Sequence, residues 1–192
     1  MTDYINLIKT LESPYRFNHS LNVAKSAMLL AKKYNADIDK AYTCGILHDV
    51  AKDIDKSEQL KIISDAGICL TPVELVNPKL WHAKAGKAYL KTKLNITDED
   101  MLNAVSFHTT ARAGMSTLEK VIYIADYISD ERDYNGVEEM RKAAEKSLEI
   151  AMFIALKFTL SDLSKKSVVI SPDSVDAYND ININYFLKGK IV

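Results

Sequence analysis

The sequence predicts an all-α protein, a helical bundle read as a single domain over residues 1–192. Three observations carry that expectation. Glycine (6) and proline (4) are scarce for the length, which disfavours a turn-rich sandwich or barrel. Most segments repeat their apolar residues with the helical period. No alternation of strand and helix patterns appears that would signal a parallel sheet. The length, 192 residues, fits one domain and can bury enough surface to fold without a disulfide or metal staple.

The elements follow in order. A short helix covers about 3 to 12, and Pro14 separates it from a longer one, about 15 to 34, with Leu21, Ala24, Met28 and Ala31 on one face. A third helix runs about 38 to 52 and a fourth about 56 to 66, ended by Gly67. Pro78 opens the segment 78 to 94. Thr97 and Asp100 are spaced as a capping box for a helix of about 98 to 109. Ser116 and Glu119 repeat the signal for about 117 to 129, with Leu118, Val121, Ile122 and Ala125 inward. Gly136 precedes the longest candidate, about 137 to 163, which begins with acids at the positive end of its dipole, Glu138 and Glu139. A connection with β character, Ser167 to Ser171, leads through Pro172 into a last helix of about 174 to 187.

Composition narrows the function classes. Lys and Arg number 25 against 26 Asp and Glu, a net charge of −1, so no global positive field exists to hold a nucleic-acid backbone. Met1 to Tyr4 lacks the basic and apolar regions of a signal peptide. The longest apolar run, Ile150 to Leu156, is far short of the roughly 20 residues of a membrane span. Cys44 and Cys69 form no CxxC pair, which suits a reducing cytoplasm. Cys44 reads as a small core residue, and Trp81 as either a base-stacking or a packing residue.

The histidines are the informative residues. There are four, His19, His48, His82 and His108, each in or at the end of an expected helix. Asp49 follows His48 directly, and Asp126 sits in the otherwise apolar stretch Val121 to Tyr127. A buried carboxylate needs a metal, a cation or a hydrogen-bond network. Imidazole nitrogen and carboxylate oxygen together suit Fe, Mn, Co, Ni or Zn. Such an ion activates water and polarises a phosphoryl oxygen. Residues 48 and 49 on one helix stand about 100° apart, so both can reach an ion at the edge of the face. The remaining ligands must come from other helices, inside the bundle. Arg16 shares a helix face with His19, Lys52 follows His48 by four and Asp49 by three, and Arg132 lies just beyond the helix that carries Asp126. Such cations either belong to solvated helix faces (Arg16, Lys52) and a surface loop (Arg132) or, held in place, bind polyphosphate oxygens.

The ordered set resembles the HD-domain superfamily of metal-dependent phosphohydrolases. The segments Arg16-Phe17-Asn18-His19-Ser20-Leu21-Asn22-Val23-Ala24, His48-Asp49-Val50-Ala51-Lys52, His108-Thr109-Thr110, Ala125-Asp126-Tyr127-Ile128 and Arg132-Asp133-Tyr134-Asn135-Gly136-Val137 resemble one branch of it, the symmetrical bis(5'-nucleosyl)-tetraphosphatases. The likeness runs from about 3 to 188, with core motifs over 15–137 and the helices of 137–188 completing the nucleotide pocket. It implies hydrolysis of diadenosine tetraphosphate to two ADP by metal-activated water. It implies a divalent metal, iron first, on His19, His48, Asp49 and Asp126, with one or two ions. His82 and His108 would hold a second ion or touch phosphate. Asp49, Lys52 and Arg132 would be catalytic. Arg16, Lys52, His82, His108 and Arg132 would bind substrate, together with Ile170, Ser171, Pro172, Asp173, Ser174, Val175, Tyr178 and Asn179. A small-molecule nucleotide is the implied partner, with no nucleic acid and no membrane, and a homodimer is compatible. Two departures stand out: Ala111 occupies a position where the branch commonly has Gly, and Ser129-Asp130 one where it commonly has Glu-Pro. The competing readings are an HD hydrolase for another nucleotide (a nucleoside mono- or triphosphate, a cyclic dinucleotide or guanosine tetraphosphate) and a nucleotide sensor without turnover.

Overall fold

In the computed structural model, which describes residues 4–188, eleven α-helices and two short helical turns account for the regular structure, and the described residues contain no strand. Residues 1–3, including the expected start of the first helix, lie outside this range, as do residues 189–192. Helices α1 (Tyr4–Leu11) and α2 (Pro14–Lys33) are joined by Glu12 and Ser13, and Ser13 caps α2 with Pro14 in its first turn. Helix α3 (Ile38–Leu47) is capped by Asp37, whose carboxylate accepts from Lys40 N–H at 3.0 Å. Helices α4 (Lys56–Asp65), α5 (Pro72–Val76) and α6 (Trp81–Lys93) follow. Then come α7 (Glu99–Ser106), α8 (Thr117–Ile128), α9 (Val137–Lys146), α10 (Leu148–Lys165) and α11 (Pro172–Ile181).

Several expected boundaries move, each for a local reason. The helix expected over 38–52 ends at Leu47, and the chain continues in tight i to i+3 turns: Val50 N–H to Leu47 O at 3.2 Å and Lys52 N–H to Asp49 O at 2.8 Å. His48 and Asp49 therefore leave the end of α3 in a turn and do not sit side by side within the helix. The helix expected over 98–109 ends at Ser106, so His108 also lies beyond a helix end. Its cap is Asp98, which accepts from Asp100 and Met101 N–H, in place of the expected Thr97. The long helix expected over 137–163 breaks at Ser147, whose extended backbone (φ −161°, ψ 139°) and hydroxyl cap α10. The 78–94 segment is a 3-10 turn, Pro78–Leu80, followed by α6. Helix α5 was not expected, although Thr71 and Glu74 form a full capping box with Pro72 in the first turn. The expected β character at 167–171 does not materialise; Ser167 takes a left-handed conformation, φ 54°. The last helix starts two residues early, at Pro172, and widens into a turn over Asn182–Phe186.

Helix α8 is the axis of the fold. Val121, Ile122, Tyr123, Ile124 and Ala125 are all fully buried, and α2, α3, α7, α9 and α10 pack around it. Five consecutive buried residues cover every side of a helix, so the middle of α8 is enclosed by its neighbours. Helices α2 and α3 approach closely where Gly45 meets Ala24, and both bury small residues, Ala24, Ala27 and Ala31 on α2 and Ala41 and Cys44 on α3. Cys44 is fully buried, and burial pushes its thiol up out of the reactive range.

Candidate metal centre

The four histidines converge in one buried row. Ring centroids are 5.1 Å apart from His19 to His48, from His48 to His108, and from His108 to His82. All four side chains are within 2% of complete burial. Each ring is held at Nδ1. His48 Nδ1–H donates to Gly45 O (2.7 Å), His82 to Lys79 O (2.8 Å) and His108 to Val105 O (2.7 Å). These acceptors lie three residues back, at or next to helix ends where carbonyls lack intrahelical partners. His19 is held differently, by the Glu131 carboxylate. A proton on Nδ1 leaves Nε2 as a bare lone pair in the neutral ring.

The Nε2 atoms face one another and the two aspartates. His19 Nε2 lies 3.3 Å from His48 Nε2 and 3.1 Å from Asp126 Oδ1. Asp49 Oδ1 lies 3.2 Å from His82 Nε2 and 3.3 Å from His108 Nε2. Despite these approaches, Asp49 Oδ1 is buried and has no hydrogen-bond donor. Acceptors facing acceptors at such distances repel unless a cation stands among them. The donor groups His19, His48, Asp126 and His48, Asp49, His108 each lie within 4.8 Å of one another. The orphaned oxygen, the inward lone pairs and the mixed nitrogen and oxygen set fit a borderline divalent ion.

Burial shapes the charges. Desolvation lowers His48 and His82 to about 4, so both are neutral at pH 7. Burial alone would raise Asp49 and Asp126, but attraction to the neighbouring imidazoles in their protonated form outweighs it as pH falls, together with Arg132 in the case of Asp126. Both carboxyls stay well below the ordinary range. Burial also lowers Lys52, against the pull of Asp49.

Each aspartate is paired with an arginine. Arg16 donates to Asp49 Oδ2 at 2.7 Å. Arg132 donates from Nε to Asp126 O at 2.9 Å and from its guanidinium to Asp126 Oδ1. The Lys52 ammonium lies 3.0 Å from His82 Nε2 and 3.9 Å from Asp49 Oδ1. The tight turn after α3 thus achieves what the expected helix spacing would have achieved.

A cavity of about 310 Å³ opens beside this row, lined by His108, Thr109, Asp126, Tyr127, Arg132, Tyr134 and Phe158. Tyr134 and Phe158 lie in contact with centroids 5.4 Å apart and planes tilted by 35°. None of the residues lining it comes from 170–179. That segment instead docks on the loop after His108, where Ser174 Oγ donates to Thr110 O at 2.8 Å. Ser171 and Ser174 are buried, Ile170, Asp173 and Tyr178 are half-buried, and Pro172, Val175 and Asn179 are exposed. Tyr178 stacks on Phe153. Trp81 packs, with Nε1–H donating to Glu74 O at 2.6 Å. Sequence reasoning missed Glu131, Phe158 and the part played by Tyr134. Tyr134 stood inside a family segment and Glu131 beside Arg132, whereas Phe158 carried no signal.

Comparisons with known proteins agree with the geometry. The HD domain family model matches residues 16–131. The symmetrical bis(5'-nucleosyl)-tetraphosphatase of Bacillus subtilis (strain 168) is 39% identical over 174 residues, covering 90% of this chain and 92% of its own. A relative of the same name from Halalkalibacterium halodurans is 38% identical, over 92% of this chain and 94% of its own. The crystal structure of a predicted HD superfamily hydrolase from Clostridium acetobutylicum, described as involved in NAD metabolism, superposes with a TM-score of 0.91 at 36% identity, covering 94% of this chain and 96% of that one. With a buried histidine and aspartate row built for a divalent ion, and with these relatives spanning nearly its full length, the chain belongs to the HD-domain family of metal-dependent phosphohydrolases, in the branch of the symmetrical bis(5'-nucleosyl)-tetraphosphatases.

Proposed function

We propose that the chain hydrolyses diadenosine tetraphosphate, and related dinucleoside polyphosphates, at the middle of the phosphate chain. The observation that carries the reading is Asp49 Oδ1, buried without a donor between inward-facing imidazoles. A divalent ion in such a site supplies an activated water and polarises a phosphoryl oxygen. His19, His48, Asp49 and Asp126 would hold it. Iron is the ion we assign, because imidazole with carboxylate suits it; metal analysis of protein purified without chelator tests that choice.

In the reaction, the water oxygen bonds to one central phosphorus and the bridging P–O bond breaks. One ADP leaves, and the other retains the new oxygen. Arg132, at the mouth of the cavity, and Lys52 would bind the non-bridging oxygens and offset charge as the bond breaks. The Lys52 ammonium already stands beside His82 Nε2, the place a second cation would need. This favours one ion, with the His82 and His108 end of the row turned to phosphate. Arg16 would hold Asp49 in place through Oδ2 and leave Oδ1 for the ion. The adjacent rings of Tyr134 and Phe158 offer an apolar wall for a nucleoside. Residues 170–179 would act by bracing the loop that follows His108.

No helix among the described residues is long and apolar enough to cross a membrane. Cys69 is free and exposed, which suits the cytoplasmic setting we assign. The test is product analysis with purified, metal-loaded protein and diadenosine tetraphosphate. ADP as sole product supports the reading. AMP with ATP, or no turnover with any metal, defeats it, and turnover of another nucleotide alone moves the chain to the second HD reading.

A further inference from the structure

We infer that Glu131 is a positioning residue that fixes the ring orientation and tautomer of His19 and thereby sets the affinity of the centre for its ion. The inference rests on the divalent-ion reading of the site and not on the identity of the substrate.

The argument begins with where each histidine stands on its helix. His48 and His108 lie just past the ends of α3 and α7, and His82 lies at the start of α6. Each finds a backbone carbonyl three residues back. His19 lies inside α2, where the carbonyls of the preceding turn are engaged in the helix ladder. A histidine inside a helix needs a side-chain acceptor to hold Nδ1–H, and Glu131 provides it. That contact arrives from a different part of the chain, the turn that follows α8.

Glu131 is itself fixed. Asn22, one turn beyond His19 on α2, donates Nδ2–H to Glu131 Oε2 at 2.8 Å, and the Ser129 hydroxyl donates to Oε1 at 2.8 Å. The same turn carries Arg132 onto Asp126. Residues 129–132 therefore clamp both His19 and Asp126, whose Nε2 and Oδ1 stand 3.1 Å apart. A carboxylate on the back of a ligating imidazole makes its other nitrogen more basic, and loss of such a partner typically costs about 10- to 100-fold in metal affinity.

The test uses the full chain with Glu131→Leu and Glu131→Gln. Cobalt titration, followed by its visible spectrum, gives affinity. Long-range proton–nitrogen NMR on metal-free protein gives the His19 tautomer, read at a pH high enough that the imidazole, whose pKa is raised against burial by Asp126 and Glu131, is neutral. Glu131→Leu is expected to lose about 10- to 100-fold in cobalt affinity and the single Nδ1–H tautomer. Glu131→Gln, whose amide oxygen still accepts, is expected to keep the tautomer and lose less affinity. Cobalt binding by folded Glu131→Leu within about twofold of wild type would overturn the inference, as would a wild-type His19 carrying its proton on Nε2. Should wild type hold the expected tautomer yet bind no cobalt, the ion reading fails while the grip of Glu131 on His19 stands.

Discussion

Gly45→Ala separates two opposing effects at the α2–α3 seam. An added Cβ would stand 2.5 Å from Ala24 Cα and 2.9 Å from Ala24 N. Carbon atoms pack best about 3.5–4.0 Å apart, so the shortfall is about 1 Å, and the obstacle is backbone. Helix propensity alone would make alanine better by about 1 kcal/mol. Overpacking against a rigid wall costs about 3 kcal/mol, the upper end of the usual range. The difference is a net loss of about 2 kcal/mol, or roughly 4–8 °C in melting temperature for a chain of this size. The damage also reaches the centre, because Gly45 O holds His48 Nδ1–H and α2 carries His19. Cobalt affinity should fall along with stability. Gly86→Ala is the comparison: its Cβ meets one tight contact, the side-chain atom Val105 Cγ1 at 3.0 Å, with His48 O at 3.8 Å and Val50 Cγ1 at 3.9 Å in ordinary van der Waals contact. The Val105 atom can give by a few tenths of an ångström, so a change under about 1 kcal/mol is expected. Thermal unfolding of metal-free protein by circular dichroism reads both. If Gly45→Ala melts at or above the wild-type temperature, propensity has won and the close approach of α2 to α3 is wrong.

Asp49→Asn should fold nearly as well without metal, since its amide can donate to the imidazole nitrogens that Asp49 Oδ1 now faces. The rise in melting temperature that divalent ions give wild type should vanish; an undiminished rise refutes the ligand role. Arg132→Lys cannot bridge the Asp126 carbonyl and carboxylate together. Steady-state kinetics should show kcat/KM down by about 10-fold or more, equivalent to about 1.4 kcal/mol. Glu12→Gln probes a buried carboxyl that desolvation raises to about 7, against the bond from Ser20. A raised pKa means that the protonated group's contribution is complete below about 4.5 and lost as pH rises through about 7. The variant should therefore match wild type near pH 4 to 5 and exceed it above pH 7, by at most about 3 kcal/mol. An equal difference at pH 5 and pH 8 in denaturant titrations would contradict the burial of that carboxyl.

The legible parts of the sequence were those written in one local signal. The capping box at Ser116 and Glu119, the apolar period of α8 and the histidine series each needed only a few neighbouring residues. What escaped depended on competition between signals or on distance. At 97–100 two candidate caps stood side by side, and Asp98 won by accepting two N–H groups. At Ser147 a good cap lay hidden in an unbroken helical period. The departure at Ala111 is absorbed in place: it takes φ 57°, the left-handed conformation that glycine adopts freely, and is fully buried. Ser129, where the branch commonly has glutamate, keeps a role by donating to Glu131. The grip of Glu131 on His19 spans 112 positions of sequence, and no local pattern announces a partner so far away.

The near-neutral net charge of −1 has its counterpart in the centre itself. Asp49, Asp126 and Glu131 are balanced there by Arg16, Lys52 and Arg132, and each carboxylate already has a partner. Without an ion, the charges of the row nearly cancel, because Arg16, Lys52 and Arg132 each stand within 4 Å of a carboxylate oxygen. A divalent ion adds two positive charges to a low-dielectric site without adding a carboxylate, so the pocket becomes anion-binding only when loaded. The arginines then have a second use. Were Asp49 and Asp126 to hold an ion, Arg132, which lines the cavity, would have guanidinium donors to offer a phosphate oxygen. On the proposed reading, the same pairing that lets two carboxylates stay ionised in the core would couple metal occupancy to the binding of a multiply charged substrate.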